Sequence, residues 1–308
     1  MSSNPVSGGN KAHRFGLATA LAAYIFWGLA PLYFKLIQSV SALEIIAHRI
    51  LWSIPLLAGF LLLRDGPGFW RRMLLPPRTI RMLFFTGTLV IANWLIFVWA
   101  VTHDQVLATS LGYFIGPLVY FLLGFLFLQE RLTRVQFIGV LIAAAGTVYL
   151  AYFLGTPPWI SLSLAFSFGF YALARKKLDV GPMVGLLWET LLLSLPAALF
   201  MASGYRAGTL SFLAGEPMLD LLLILAGLVT ILPLIWFNTA ARSLKLSTMG
   251  FLQYIAPTMT FSLAVFVFGE TFTRGHAVAF ACIWFALAMV SLESALRARQ
   301  LHVASRSA

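Results

Sequence analysis

The stretch LATSLGYFIGPLVYFLLGFLFL, from Leu107 to Leu128, runs 22 residues without a charged side chain. A helix rises about 1.5 Å per residue, so roughly 20 apolar residues span the ~30 Å of hydrocarbon in a bilayer. Outward from this run, nine more follow the same pattern. The expected spans are 15–37, 44–63, 80–101, 107–128, 135–153, 159–174, 183–201, 219–240, 248–268 and 276–295. The sixth is short and lacks a sharp end. Of the 308 residues, 60% are hydrophobic and 10% are charged. Soluble domains carry roughly 25% charged residues, so a water-facing surface could not be built from this chain. No stretch between the runs is long enough for a soluble domain. The expectation is one all-α, polytopic membrane protein with ten transmembrane helices. A transmembrane barrel would need alternating segments of about ten residues, and none is present.

Charge then orients the bundle. The net charge is +11. In a soluble protein that would suggest nucleic acid. Here Lys and Arg gather in short loops between apolar runs, the pattern that fixes membrane orientation. No nucleic-acid partner is therefore expected. With the N-terminus inside, 17 basic residues fall in cytoplasmic segments and three, Lys35, Arg206 and Arg274, fall outside. Both termini are thus expected in the cytoplasm, as tails over 1–14 and 297–308. Lys11 and Arg14 precede an apolar run longer than that of a cleaved signal peptide, so the first run reads as a retained helix. The single cysteine, Cys282, allows no internal disulfide and no paired redox or metal motif.

The chain also repeats itself. Tyr113-Phe114-Ile115-Gly116-Pro117 matches Gln253-Tyr254-Ile255-Ala256-Pro257 at an offset of 140. The match continues without gaps through Phe121 and Phe261, then Leu123 and Leu263. It ends with Glu130-Arg131-Leu132-Thr133-Arg134 against Glu270-Thr271-Phe272-Thr273-Arg274. Upstream, Phe97 meets Phe237 and Ala100 meets Ala240. The halves are 15–153 and 154–296, with five expected helices each. Five is odd, so the halves must cross the membrane in opposite senses. Inverted repeats are typical of transporters that expose one central site alternately to each face.

At these residues the chain resembles the drug/metabolite transporter superfamily, and more narrowly the EamA family and its RarD-like subgroup. The matching segments include Tyr24-Ile25-Phe26-Trp27-Gly28-Leu29-Ala30-Pro31, Glu44-Ile45-Ile46-Ala47-His48-Arg49, Asn93-Trp94 and Ser110-Leu111-Gly112-Tyr113-Phe114-Ile115. A further match is Gly250-Phe251-Leu252-Gln253-Tyr254-Ile255-Ala256-Pro257. The resemblance covers about residues 15–295. It implies two five-helix repeats, a bacterial inner-membrane location and small-molecule transport. RarD-like proteins are labelled chloramphenicol-sensitivity permeases.

Several residues could carry chemistry. Glu44 and His48 are four apart and share a helix face near the outer start of the second span, with Arg49 beside them. Ionisable groups within a span usually face a cavity or a partner, and His titrates near neutral pH. The plainer reading is that Glu44 and Arg49 snorkel or pair structurally. Glu189 aligns with His48 at an offset of 141. It could hold a proton or a cationic group; more plainly, it could pair with Arg49. Asn93, Asn238 and Gln253 serve either interhelical hydrogen bonds or substrate contact. Trp27, Trp94, Tyr113, Trp236 and Tyr254 could wall a pocket for flat ligands, or simply pack. Pro117 and Pro257 are expected near mid-span, with Gly112 and Gly250 before them, as hinges or static bends. Gly139, Ala143 and Thr147 have the spacing of a close helix contact.

No nucleotide-binding, metalloprotease, Cys-x-x-Cys or dinucleotide motif is present, so no cofactor and no metal are expected. The leading expectation is a secondary transporter for small organic metabolites or drugs, coupled to protons or another gradient. A membrane enzyme acting on lipid and a channel-like protein are the alternatives. Monomer and homodimer both stay open.

Overall fold

A hydropathy reading stops where an apolar run stops. A helix continues until a cap or a breaker ends it. The computed structural model describes residues 6–129, 131–244 and 252–304. Among these the chain is all-helical. The helices are α1 (Val6–Leu36), α2 (Ala42–Asp65), α3 (Pro77–Thr102), α4 (Val106–Leu128) and α5 (Arg134–Leu154), then α6 (Trp159–Lys176), α7 (Pro182–Ala207), α8 (Pro217–Ser243), α9 (Ile255–Ser262) and α10 (Arg274–Ala304). A short 3₁₀ turn, Pro67–Met73, joins α2 to α3, and a π-helical turn, Leu263–Val267, continues α9. α1 starts before and α10 ends after the expected spans, because the flanking basic residues do not break a helix. Glu130 and Gly250 lie outside the described residues, as does the side chain of Asn238.

Among the described residues, eight helices are long and apolar enough to cross a membrane. α6, with 18 residues, ends in Arg175-Lys176, and the helical run Ile255–Val267 is shorter still. Much of the outer surface is large and apolar, including Leu63, Phe127, Tyr152 and Phe266. In water such a surface would aggregate; in lipid it is the right solvent match.

Polar contacts sort the helix ends into two faces. At one face Lys35, ending α1, pairs with Asp104 after α3. Glu270, following α9, accepts the N–H of Val106 at 2.7 Å and of Leu107 at 2.9 Å, the free donors at the start of α4. Burial pushes the Glu270 carboxyl above its ordinary range, against the pull of those amides and of Lys35. At the other face Thr133, capping α5, donates to Glu293 of α10 at 2.7 Å. There too the Trp188 indole of α7 donates to the Met73 carbonyl at 3.1 Å.

Matching each helix with the one five places on exposes a pattern in the packing. α1 lies on α8 and α3 on α6; α1 lies on α9 and α4 on α6; α2 lies on α8 and α3 on α7. The matched pairs α2–α7, α4–α9 and α5–α10 also touch. Close approaches recur in the same way. A Cβ on Gly28 would sit 2.8 Å from Met259, and one on Gly169 2.9 Å from Val119. α5 and α10 run antiparallel, since Gly139 faces Val290 while Gly146 faces Cys282. The small-residue stripe of α5 is the face that α10 covers. α4 and α9 are antiparallel as well: Ser110 donates to the Pro257 carbonyl at 2.8 Å, and Phe114 stacks on Tyr254.

Candidate functional site

α2 carries three ionisable side chains in its first two turns, and each finds different partners. Ser41 caps the helix by accepting the Glu44 N–H at 3.2 Å. The Glu44 carboxylate in turn accepts the N–H of Ser211 at 3.1 Å and of Phe212 at 2.9 Å, in the α7–α8 loop. Glu44 is a latch on that loop, and no ion pair joins it to Arg49. One turn further, the Trp52 indole donates to His48 Nδ1 at 3.0 Å, and the imidazole packs on the Phe212 ring. With Nδ1 accepting, the proton of the neutral ring sits on Nε2. That atom is buried without a hydrogen-bond partner among the described residues.

Arg49 is directed at α8 and α3. Its Nε donates to Thr230 Oγ1 at 2.9 Å. The guanidinium carbon lies 4.5 Å from the centre of the Trp94 ring and 5.3 Å from that of Phe34. Tyr33 and Tyr113 are near enough to feel its charge. Trp94 and Tyr113 are each half-buried beside it. No carboxylate stands within ion-pair distance of Arg49 among the described residues.

Glu189 of α7 forms a second polar level. Thr86 of α3 donates to Oε1 at 2.7 Å, and the Tyr171 hydroxyl of α6 donates to Oε2 at 3.3 Å. The Arg175 Nε lies 3.8 Å from Oε1. The structural partner of Glu189 is therefore Arg175 and not Arg49, because α6 rather than α2 presents a cation to this face of α7. Gly185, one turn before Glu189, leaves room for that cation: a Cβ there would lie 2.2 Å from the Arg175 guanidinium. Thr86 and Trp94 are eight residues apart on α3, which puts the two levels about 12 Å apart along its axis.

The other candidate residues scatter. Asn93 donates to the Leu164 carbonyl at 3.0 Å and to Ser167 at 2.9 Å, clipping α3 to α6. Trp27 packs edge-on against Tyr24 and tilts against Phe237, while Trp236 meets Phe26 edge-on. Gln253 and Tyr254 form the turn before α9. Pro117 lies midway along α4, as expected. Pro257 lies in the first turn of α9, where a missing N–H breaks no bond, and not at mid-span. Gly112 is a contact point, since a Cβ there would sit 2.8 Å from the Ser161 carbonyl of α6. The structure thus joins Arg49, Trp94 and Tyr113 and sets them apart from Glu189. Sequence reading overlooked Arg175, Tyr171, Thr86 and Thr230. Arg175 stands in a basic run that reads as loop charge, and Thr and Tyr within apolar runs have no spacing to single them out.

Comparison with known proteins accords with this architecture. Residues 14–152 match the EamA-like transporter family. An uncharacterized transporter of Vibrio cholerae is 45% identical over 281 residues, covering 90% of this chain and 92% of the relative. Protein RarD of Escherichia coli is 44% identical over 285 residues, covering 92% and 96%. The chloramphenicol-sensitive protein RarD of Pseudomonas aeruginosa is 33% identical over 287 residues, covering 91% and 94%. A crystal structure of a protein only 18% identical superposes with a TM-score of 0.60 over 91% of this chain and 98% of its own, which speaks to the fold alone. Whole-length identity of this order, on a multi-pass helical bundle, means that the chain belongs to the EamA-like transporter family, among its RarD-like members.

Proposed function

We propose that the protein is a secondary transporter that moves small organic molecules across the bacterial inner membrane by alternating access. In this reading ten helices cross the membrane as two inverted five-helix repeats, with both termini cytoplasmic. The observation that carries it is the exchanged packing: contacts between the halves come in pairs with the partners' roles swapped, around antiparallel α4–α9 and α5–α10. Phe114 stacking on Tyr254, its own counterpart at offset 140, is what a two-fold axis in the membrane plane would produce. Such a frame has two near-equivalent arrangements, which is the physical requirement for alternating access. His48 and Glu189 occupy matched positions and are the candidates for coupling to a proton gradient. The name of the Pseudomonas aeruginosa relative puts chloramphenicol on the panel of solutes to try. Proteoliposomes containing the purified protein should take up a subset of radiolabelled organic solutes faster than protein-free vesicles, with accumulation that responds to an imposed pH gradient. Flux equal to that of protein-free vesicles for every solute would sink the transport reading, and flux indifferent to pH would sink the proton coupling.

A further inference from the structure

Arginine keeps its charge at any physiological pH, and a lone cation in a membrane interior is strongly disfavoured unless something balances it. At the Glu189 level the balance is local, because Arg175 faces the carboxylate. At the Arg49 level nothing described supplies it. One N–H goes to Thr230, and the guanidinium carbon lies over the Trp94 and Phe34 rings. Aromatic faces offset part of a buried charge but accept none of the N–H bonds on the two terminal nitrogens. Those bonds have no acceptor among the described residues. The Thr230 contact fixes the Nε side of the fork, so the terminal nitrogens are held in a set direction. Trp94, against which the guanidinium lies, and Tyr113 are each only half-buried.

We infer that the terminal nitrogens of Arg49 bind the carboxylate of a small, flat organic monoanion, with Arg49 as the residue that selects for negative charge. The planar fork of arginine matches a carboxylate with two parallel hydrogen bonds. A single guanidinium with no second cation beside it balances one negative charge, which favours a monocarboxylate over a phosphate dianion. Trp94 and Tyr113 offer ring faces on which the body of such a ligand can lie. The inference rests on the transport reading in one respect: it names the class of solute that the central site carries.

The test uses full-length protein in nanodiscs of uncharged lipid, with 2-naphthoate, 2-naphthamide and 2-naphthylmethylamine as probes in equilibrium dialysis. The acid should bind saturably and at least about tenfold more tightly than the amide, the scale of one charge-assisted hydrogen bond, and the amine should bind worst. Arg49→Gln should abolish the preference of acid over amide. Arg49→Lys, which keeps the charge but not the fork, should keep the preference at lower affinity. Equal binding of acid and amide by the unaltered protein, binding of none of the three, or a preference that survives Arg49→Gln would overturn the inference. The acid-to-amide ratio of the unaltered protein decides the matter even if Arg49→Gln fails to fold. A separate flux assay keeps the two readings apart. Arg49-dependent acid binding without flux defeats transport and leaves the site. Flux with no preference for the acid defeats the site and leaves transport.

Discussion

Glu189 is 1% exposed, and its carboxylate gathers Thr86, Tyr171 and Arg175 from two neighbouring helices. Removing one member of a buried ion pair leaves the other uncompensated, at a cost of about 3–5 kcal/mol. Glu189→Gln should therefore lower the melting temperature of the purified protein by several degrees, and adding Arg175→Gln should restore at least half of the loss. If Glu189 is also a coupling group, the double variant will regain stability but not pH-driven accumulation in proteoliposomes. A well-folded Glu189→Gln protein with ordinary pH-driven accumulation would remove it from the coupling mechanism. An intramembrane carboxylate stands out in any apolar run, so Glu189 itself was legible in the sequence. Its partner was not, because Arg175 ends a short helix amid other basic residues and only the fold turns it inward.

At the scale of helices, close crossings depend on the absence of a side chain. A Cβ on Gly227 of α8 would sit 2.7 Å from the backbone of Trp52 on α2. Gly87 of α3 plays the same part against Glu189 on α7, at 3.2 Å. Gly116 of α4, by contrast, has nothing within 4 Å of its missing Cβ. Gly227→Ala must push α8 off α2 and should destabilise by roughly 1–3 kcal/mol, with Gly116→Ala near neutral as its control. Equal melting temperatures for the two variants would show that the α2–α8 crossing accommodates a methyl group at Gly227 without cost. Helix existence was legible wherever an apolar run was long and cleanly bounded; α4 lies within a residue of its expected span. α9 was misread because apolar composition continues through Gln253 and Tyr254, where the backbone turns, and hydropathy does not register a turn. The crossings were legible only for the small-residue stripe of α5, since a solitary glycine has no spacing to announce its partner.

For the whole molecule, the proposed orientation rests on charge asymmetry rather than on any contact. With ten crossings, as proposed, seventeen basic residues would fall on the side of the termini and three opposite, a bias that insertion machinery reads. A periplasm-dependent alkaline phosphatase fused to the C-terminus should be inactive, while the same enzyme fused into the loop after Ala207 should be active. Strong activity at the C-terminus would reverse the orientation or change the number of crossings. That number hinges on α6 and on the run Ile255–Val267, the two helices too polar or too short to be recognised as crossings by composition alone.

The interlocking of the halves also bears on how the protein is made. Arg49 and Thr230 are 181 positions apart in the chain, and Thr86 and Glu189 are 103 apart. At about 5–20 residues per second, a ribosome delivers Thr230 roughly 10–40 s after Arg49. For that interval a bare guanidinium has no hydroxyl to meet in the nascent bundle. The early helices must then wait in a setting that tolerates charge, at the lipid headgroups or against the insertion machinery, until the last third of the chain arrives to close around them.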